Sequence, residues 1–135
     1  MRTFARWALG AAMVFAGISH LFWARREFRA QVPDWVVDAT PLDEDAVVLA
    51  SGAVEIALGT ALVALPSQRR RMGALLAAFF VAVLPGNWAQ FTHRRDGFGL
   101  DTDVKRLVRL FFQPALVAWA LWSTRTPRDG DHRAR

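Results

Sequence analysis

The 135-residue chain contains no cysteine and only three histidines. The absence of cysteine excludes disulfides, thiolate nucleophiles, thioether-bound haem and thiolate-held iron–sulfur clusters. The histidines, His20, His93 and His132, are too widely spaced to indicate a metal site, so we expect none. The formal charge of +5 comes largely from arginines at the ends of apolar runs, where they meet anionic lipid head groups. Since no nucleic-acid-binding motif accompanies them, we expect the lipid bilayer as partner and no nucleic acid.

Charge is also scarce within four long apolar runs. Each run is close to the ~20 residues that a helix needs to cross ~30 Å of hydrocarbon. None has the polar outer face of a helix in a soluble protein. The sequence therefore predicts an all-α polytopic membrane protein in which residues 1–125 form a bundle of four transmembrane helices. The predicted helices cover about residues 4–23, 46–65, 72–91 and 105–122.

Both ends of the chain need a separate interpretation. Residues 4–23 exceed the ~7–15 apolar residues of a signal peptide, and no small-residue cleavage site follows them, so we expect a retained helix. Residues 126–135 are charged and lack apolar periodicity, which predicts a disordered tail. With four crossings the two termini share a side with the short connection that carries Arg69, Arg70 and Arg71. This basic cluster predicts that both termini are cytoplasmic.

The connection between the first two predicted helices, residues 24–45, carries apolar residues among its charges. Such a segment tends to lie in the membrane interface with its tryptophan at head-group level. We expect an interfacial loop that covers the outer end of the bundle; a flexible loop with an incidental tryptophan is the alternative. The apolar residues are Phe28, Val32, Pro33, Trp35, Val36 and Val37.

Glu55 is the only charged residue in the run 46–65. An ionised side chain at the bilayer centre costs at least ~2.5–3.5 kcal/mol, so such residues normally face a protein interior with a partner. His20, Asn87 and Gln113 each lie in one of the other three runs. From the helical rise, His20 and Asn87 are ~5–6 Å below the outer surface and Glu55 and Gln113 ~13 Å below it. These four side chains are the candidate ligand-binding site.

Small residues mark the faces on which we expect helices to pack. Gly10 and Gly17 are seven residues apart, as are Gly52 and Gly59, so each pair lies on one face of its helix. Glycine faces allow close backbone approach within membranes. Glu55 projects from the same face as Gly52 and Gly59, which predicts that it points into the bundle within reach of another polar group.

Two points about this polar site stay open from the residues alone. The four side chains can bind a ligand, or they can form a hydrogen-bonded network that only fixes helix packing. Arg109, a secondary candidate, lies near the start of the fourth helix, where we expect it to snorkel outward. The alternative is that it turns inward to meet Glu55.

Five segments give the chain a resemblance to the short DoxX-like family of bacterial membrane proteins, over about residues 5–122. They are Gly17-Ile18-Ser19-His20, Val32-Pro33-Asp34-Trp35, Leu49-Ala50-Ser51-Gly52-Ala53-Val54-Glu55, Val83-Leu84-Pro85-Gly86-Asn87 and Arg109-Leu110-Phe111-Phe112-Gln113. The resemblance implies four transmembrane helices in a bacterial inner membrane, with His20, Glu55, Asn87 and Gln113 at the family's polar positions. It also implies an association with redox processes, since the family name derives from a subunit linked to quinone-dependent sulfur oxidation. The chain departs from the family's pattern after His20 and at Gly86, but neither change removes a polar group.

Two classes of function follow from these observations. The leading hypothesis is a redox-associated membrane protein that binds a small lipophilic ligand such as a quinone, with electrons supplied by a membrane redox partner, and that is not an enzyme on its own. The alternative is an assembly or chaperone-like module whose glycine faces and 24–45 connection pack against partner membrane proteins. Both hypotheses are compatible with an oligomer. A small solute or proton carrier is a third hypothesis, but no inverted repeat supports it.

Overall fold

A computed structural model describes residues 1–97 and 99–126 of the chain. Over those residues all regular structure is helical, with a 3-10 turn at Pro66–Gln68 and no strand. All of the predicted tail except Thr126 lies outside the described residues. The helices are α1 (Arg2–Leu21), α2 (Arg25–Arg29), α3 (Asp34–Ala39), α4 (Glu44–Ala64), α5 (Arg69–Ala82), α6 (Leu84–Thr92) and α7 (Asp103–Ser123).

Three stretches are long and apolar enough to cross a membrane: α1, α4 and the 27-residue stretch Pro66–Thr92. The predicted all-helical membrane fold is confirmed at this level. Helix α7 has a comparable length of 21 residues but is not among them, since Arg106, Arg109 and Gln113 lower its hydropathy. The fourth crossing therefore stays a prediction.

The helix predicted over residues 72–91 is interrupted. Helix α5 ends at Ala82 and α6 begins at Leu84. Pro85 has no N–H, so the carbonyl of Val81 loses its usual partner four residues along the chain, and the helix breaks just before the proline. Pro114 has a smaller effect, because α7 continues through it to Ser123.

Helices α1 and α4 pack against each other through their glycines. A Cβ atom on Gly17 would lie 2.5 Å from the carbonyl oxygen of Gly52, and one on Gly59 would lie 2.7 Å from the carbonyl oxygen of Gly10. The four glycines therefore form two facing pairs, Gly17 with Gly52 and Gly10 with Gly59, which bring the two backbones together. The glycine faces of α1 and α4 are therefore both buried in the contact between these two helices of the same chain.

The connection between α1 and α4 is folded, so the alternative of a flexible loop is wrong. It contains α2 and α3, which are tied to the rest of the chain by charged and amide side chains. Arg29 donates to Asp45 at 2.6 Å, and Arg95 donates to the carbonyl of Val32 at 2.6 Å and also pairs with Asp34. These bonds hold α2 and α3 across one end of the bundle.

The opposite end is closed by two side chains that bond to backbone carbonyls. Arg6 is buried and donates to the carbonyl of Leu62 in the last turn of α4, at 3.0 Å. Such a bond satisfies one of the carbonyls that a helix end leaves free. The indole of Trp119 donates to the carbonyl of Ala5, also at 3.0 Å, and ties α7 to α1. Between the two ends lies an apolar core, which includes Leu9, Met13, Leu62, Leu76, Phe80 and Ala120.

Replacing Gly17 by alanine should destabilise the fold. The added methyl group would meet the backbone oxygen of Gly52 at 2.5 Å, and backbone atoms in a packed helix cannot move aside as a side-chain end can. Overpacking of this kind costs ~1–3 kcal/mol, against up to ~1 kcal/mol gained from the better helix propensity of alanine. We expect Gly17→Ala to lower the thermal midpoint in detergent. Ala53→Leu, at an exposed position of α4, is the matched control and should leave the midpoint unchanged.

Replacing Arg95 by glutamine should release α3 without unfolding the bundle, because the variant loses the bonds to Val32 and Asp34. We expect faster backbone hydrogen exchange over residues 32–39 and unchanged exchange in α4. Arg94→Gln is the control, since Arg94 is largely exposed and lies 3.5 Å from Asp103. Equal protection of residues 32–39 in both variants would show that Arg95 does not hold this segment.

Candidate functional site

A cavity of about 390 Å³ lies inside the bundle. Helices α1, α4, α5 and α7 contribute to its wall, and α2, α3 and the residues between them cover it from one end. Most of its lining is apolar, but six polar side chains share it. Five come from three helices: His20 from α1, Ser51 and Glu55 from α4, and Arg109 and Gln113 from α7. The sixth is Gln31, which lies between α2 and α3.

His20 is buried at the contact between α1 and α4. Its Nδ1 atom lies 3.0 Å from the hydroxyl oxygen of Ser51 and 3.4 Å from Oε2 of Glu55. The contact with Ser51 has hydrogen-bond geometry, whereas Oε2 of Glu55 forms no hydrogen bond with any described residue. Gly52 makes this arrangement possible, because a Cβ atom there would lie 2.7 Å from the Cβ atom of His20. The predicted contact between Glu55 and His20 is thus present.

Arg109 faces the same cavity as Glu55 and is close enough for electrostatic attraction between the two charges. The expectation that Arg109 snorkels outward is therefore wrong. A carboxylate and a guanidinium that leave water together offset part of each other's desolvation cost, and this favours the inward orientation. The cavity consequently contains one acid, one permanent cation and one imidazole.

Gln113 is buried on α7 and bridges to α5. Its Nε2 atom donates to the carbonyl of Phe80 at 3.3 Å. Its Oε1 atom has no hydrogen-bond partner among the described residues, and the same holds for Nε2 of His20 and Oε2 of Glu55. Buried polar atoms in proteins are almost always paired. Three unpaired polar atoms on residues that line one cavity indicate a site suited to a polar ligand group.

Asn87 does not join this group. It is buried on α6, where its Nδ2 atom donates to the carbonyl of Val83 at 3.4 Å, but it is not among the residues that line the cavity. Pro85 and Gly86 line the cavity instead. Each residue of an α-helix is rotated by ~100° from the one before it, so the residue after Gly86 points in another direction. The break before α6 sets this rotation, which the sequence pattern does not reveal.

Three further residues at the site escaped the sequence analysis. Ser51 binds His20, Gln31 lines the cavity, and Phe28 packs its ring against the imidazole of His20. The signal for Ser51 is its position four residues before Glu55, which places both side chains on one face of α4. Gln31 and Phe28 have no comparable signal, because their placement depends on how α2 folds back over the bundle.

The site combines hydrogen-bond donors and acceptors with apolar walls. The guanidinium of Arg109 only donates, the amide oxygen of Gln113 only accepts, and the imidazole and carboxyl groups do either according to their protonation. Within residues 1–97 and 99–126, no three His, Asp or Glu side chains are grouped as metal ligands. The arrangement suits a compact organic molecule with polar groups at its edge.

Comparison with known proteins gives one result. No curated protein and no solved structure matches the chain. A family model described as a domain of unknown function, DUF8561, matches residues 9–124. The matched region includes every residue that lines the cavity. Because the match covers most of its length, the chain belongs to the DUF8561 family.

Proposed function

We propose that this chain is a DoxX-like membrane protein that binds a small lipophilic ligand, such as a quinone, in the cavity lined by His20, Glu55, Arg109 and Gln113. One observation carries the proposal: His20, Glu55 and Gln113 each have an unpaired buried polar atom and line the same largely apolar cavity. Ligand sites in proteins are typically cavities of ~300–1,000 Å³ with apolar walls and a few polar groups. The volume of about 390 Å³ falls in that range.

The polar groups match the two oxidation states of a quinone. An oxidised quinone presents carbonyl oxygens, which accept hydrogen bonds from Arg109 or from a protonated His20 nitrogen. A quinol presents hydroxyl groups, which donate to the carboxylate of Glu55 or the amide oxygen of Gln113. The apolar walls, to which Phe79, Phe80, Val83 and Leu116 contribute, suit the rest of such a molecule. A membrane redox partner exchanges the electrons, and the chain is not an enzyme on its own.

A purely structural role for the polar residues is less well supported. A network whose task is to fix helix packing gains its stability from bonds between its own members, and a partly satisfied network is worse than an apolar core. Here Ser51 bonds to His20, but the atoms of Glu55 and Gln113 that lack partners gain nothing from the packing. Their burial is better explained by a molecule that pairs with them.

The assembly-module hypothesis loses the features that motivated it. The glycine faces of α1 and α4 pack against each other within the chain. Trp35 and Val36 of the 24–45 connection line the chain's own cavity. The glycine faces are therefore not left to bind a partner protein, and Trp35, although 62% exposed, contributes to the chain's own cavity.

The proposal includes four membrane crossings, with both termini on the cytoplasmic side of a bacterial inner membrane. Helix α7 supports a fourth crossing, since its 21 residues extend about 31 Å at 1.5 Å per residue. Its polar side chains Arg106 and Gln113 are buried, whereas its exposed surface carries large apolar side chains. Those include Leu107, Val108, Phe111, Phe112, Leu121 and Trp122.

Glu55→Gln should weaken quinol binding more than quinone binding, because only the hydroxyl groups of the quinol use the carboxylate as an acceptor. The glutamine oxygen still accepts a hydrogen bond, but a bond to a neutral group contributes ~1 kcal/mol less than one to a carboxylate, so we expect an about fivefold weaker Kd for the quinol. The measurement is quenching of tryptophan fluorescence by decylubiquinone and its reduced form. Trp119 and Trp35 line the cavity and report binding there, and the signal should fall in Trp119→Phe.

Two controls make the binding experiment specific. Glu44→Gln removes an exposed carboxylate at the start of the same helix and should leave both Kd values unchanged. Trp88→Phe removes an exposed tryptophan that does not line the cavity, so the binding signal should persist. Failure of the wild-type protein to bind either form would reject the quinone proposal.

Single cysteines test the proposed topology, since the natural chain has none to interfere. In intact cells a membrane-impermeant maleimide should label Asp38→Cys in α3 but neither Ser67→Cys nor Thr126→Cys. Both unlabelled sites should react once the membrane is permeabilised. If intact cells showed labelling of both Asp38→Cys and Thr126→Cys but not of Ser67→Cys, α7 would not cross the membrane.

A further inference from the structure

Charge is divided unequally between the two ends of the bundle. With the exception of Glu55, every acidic residue in the described part of the chain lies at the end that carries α2 and α3. Many of these acids pair with basic side chains, as in the bonds of Arg106 to Asp96 at 2.5 Å and Asp103 at 3.0 Å. The opposite end, over residues 1–6, 65–72 and 122–126, has no acid. Its arginines are Arg2, Arg6, Arg69, Arg70, Arg71 and Arg125.

An apolar groove of about 620 Å³ extends from this arginine-rich end along the surface of α7. Arg125 lies at one end of the groove and Gln113 at the other, and every other lining residue is apolar. Pro114 and Ala118 form its floor with short, exposed side chains, and Phe80 flanks its far end. Because the α7 residues that line it recur every three or four positions, they form one continuous stripe along the helix.

The arginine-rich end is continuous across α5 and α7. Gly73 near the start of α5 packs so closely on Thr124 that a Cβ atom at Gly73 would overlap that side chain. Arg125 follows Thr124 directly, so it lies at the same end as the arginines that begin α5. A negatively charged group at the mouth of the groove would therefore meet several guanidinium groups and no acid among the described residues.

The length of the groove matches one leaflet of a bilayer. Gln113 and Ser123, the last residue of α7, are ten positions apart, which corresponds to ~15 Å along the helix, and Arg125 follows two residues later. Half of a ~30 Å hydrocarbon core is ~15 Å. A lipid whose head group lies beside Arg125 would thus have an acyl chain long enough to reach the level of Gln113, near the centre of the membrane.

We infer that this groove binds an acyl chain of an anionic phospholipid from the cytoplasmic leaflet, with the phosphate held at Arg125. Arginine pairs with phosphate through charge-assisted hydrogen bonds, and the apolar stripe of α7 packs against the chain. The inference rests on the membrane topology proposed above but not on the ligand proposed for the internal cavity. It assigns the groove to a lipid and not to a second copy of the protein, because the excess of like charge at its mouth would make two copies repel each other there.

Native mass spectrometry can test the inference with the whole protein. The protein is equilibrated in micelles that contain equal amounts of phosphatidylglycerol and phosphatidylcholine with identical acyl chains, and the retained lipids are counted. The wild-type protein should retain phosphatidylglycerol in preference. Arg125→Gln should reduce this retention about fivefold, because one arginine near an anionic lipid contributes on that scale. Arg26→Gln, which removes an exposed arginine at the opposite end, should retain as much as the wild type.

A second variant tests the groove itself. Ala118→Trp should fill the floor and reduce retention of both lipids, while Ala53→Trp, on an exposed face of α4, should not. Equal retention of the two lipids by the wild type, or unchanged retention by Arg125→Gln, would overturn the inference. A dimer that Ala118→Trp dissociates would overturn it too, because the groove would then belong to a second copy. Binding of decylubiquinone in the Glu55 experiment is independent of all these outcomes, so the two proposals can fail separately.

Discussion

The close contact between α1 and α4 is the constraint on which the rest of the structure depends. Two pairs of facing glycines bring the helix backbones together, with atoms of one helix in the space that a side chain of the other would fill. In a membrane the hydrophobic effect does not drive helices together, so association depends on packing and on polar contacts. The same contact decides the chemistry of the interior. Gly52 leaves room for His20, and His20 can therefore lie beside Ser51 and Glu55.

Burying polar side chains costs desolvation free energy, and the fold reduces this cost by placing opposite charges close together. Glu55 and Arg109 come from different helices and face one cavity, where their opposite charges attract. Helices α2 and α3 cover this cavity and are held in place by Arg95 and Asp45, which lie at its rim and not in its wall. The polar side chains that hold the cover in place are thus different from those that line the cavity. Arg95 and Asp45 at the rim are both hydrogen-bonded, whereas His20, Glu55 and Gln113 in the wall each keep an unpaired atom.

The two ends of the molecule use charge in different ways. At the end with α2 and α3, acids and arginines neutralise each other; Lys105, for example, donates to Asp101 at 2.6 Å and holds the pKa of that carboxyl below its usual value. At the other end arginines stand without acids among the described residues. Only such an unbalanced end presents a field that attracts anionic head groups. This asymmetry supports both the proposed orientation and the lipid groove beside α7.

Sequence alone predicts the helical class, the positions of α1 and α4 to within two residues, and the burial of His20, Asn87 and Gln113, but not that of Arg6, Gln90 or Arg106. These follow from hydropathy and from the cost of an unpaired charge in hydrocarbon, both of which act locally. It also indicated which faces carry glycine, because a spacing of seven residues returns to one face of a helix. It did not determine which polar residues meet. The inward turn of Arg109 and the absence of Asn87 from the cavity depend on helix rotation, and rotation is set by contacts between segments far apart in the chain.

The folding of residues 24–45 was likewise decided by the tertiary structure. Arg95 is more than sixty residues from Val32, and Gly86 allows the carbonyl of Gln31 to approach α6. Nothing within the segment encodes these partners. Local pattern thus specified the long helices and the residues that are too polar for lipid, but not α2, α3 or the break between α5 and α6. The arrangement of those residues around one cavity required the packed bundle, because a polar group finds its partner only where two helices are held at a fixed rotation and distance.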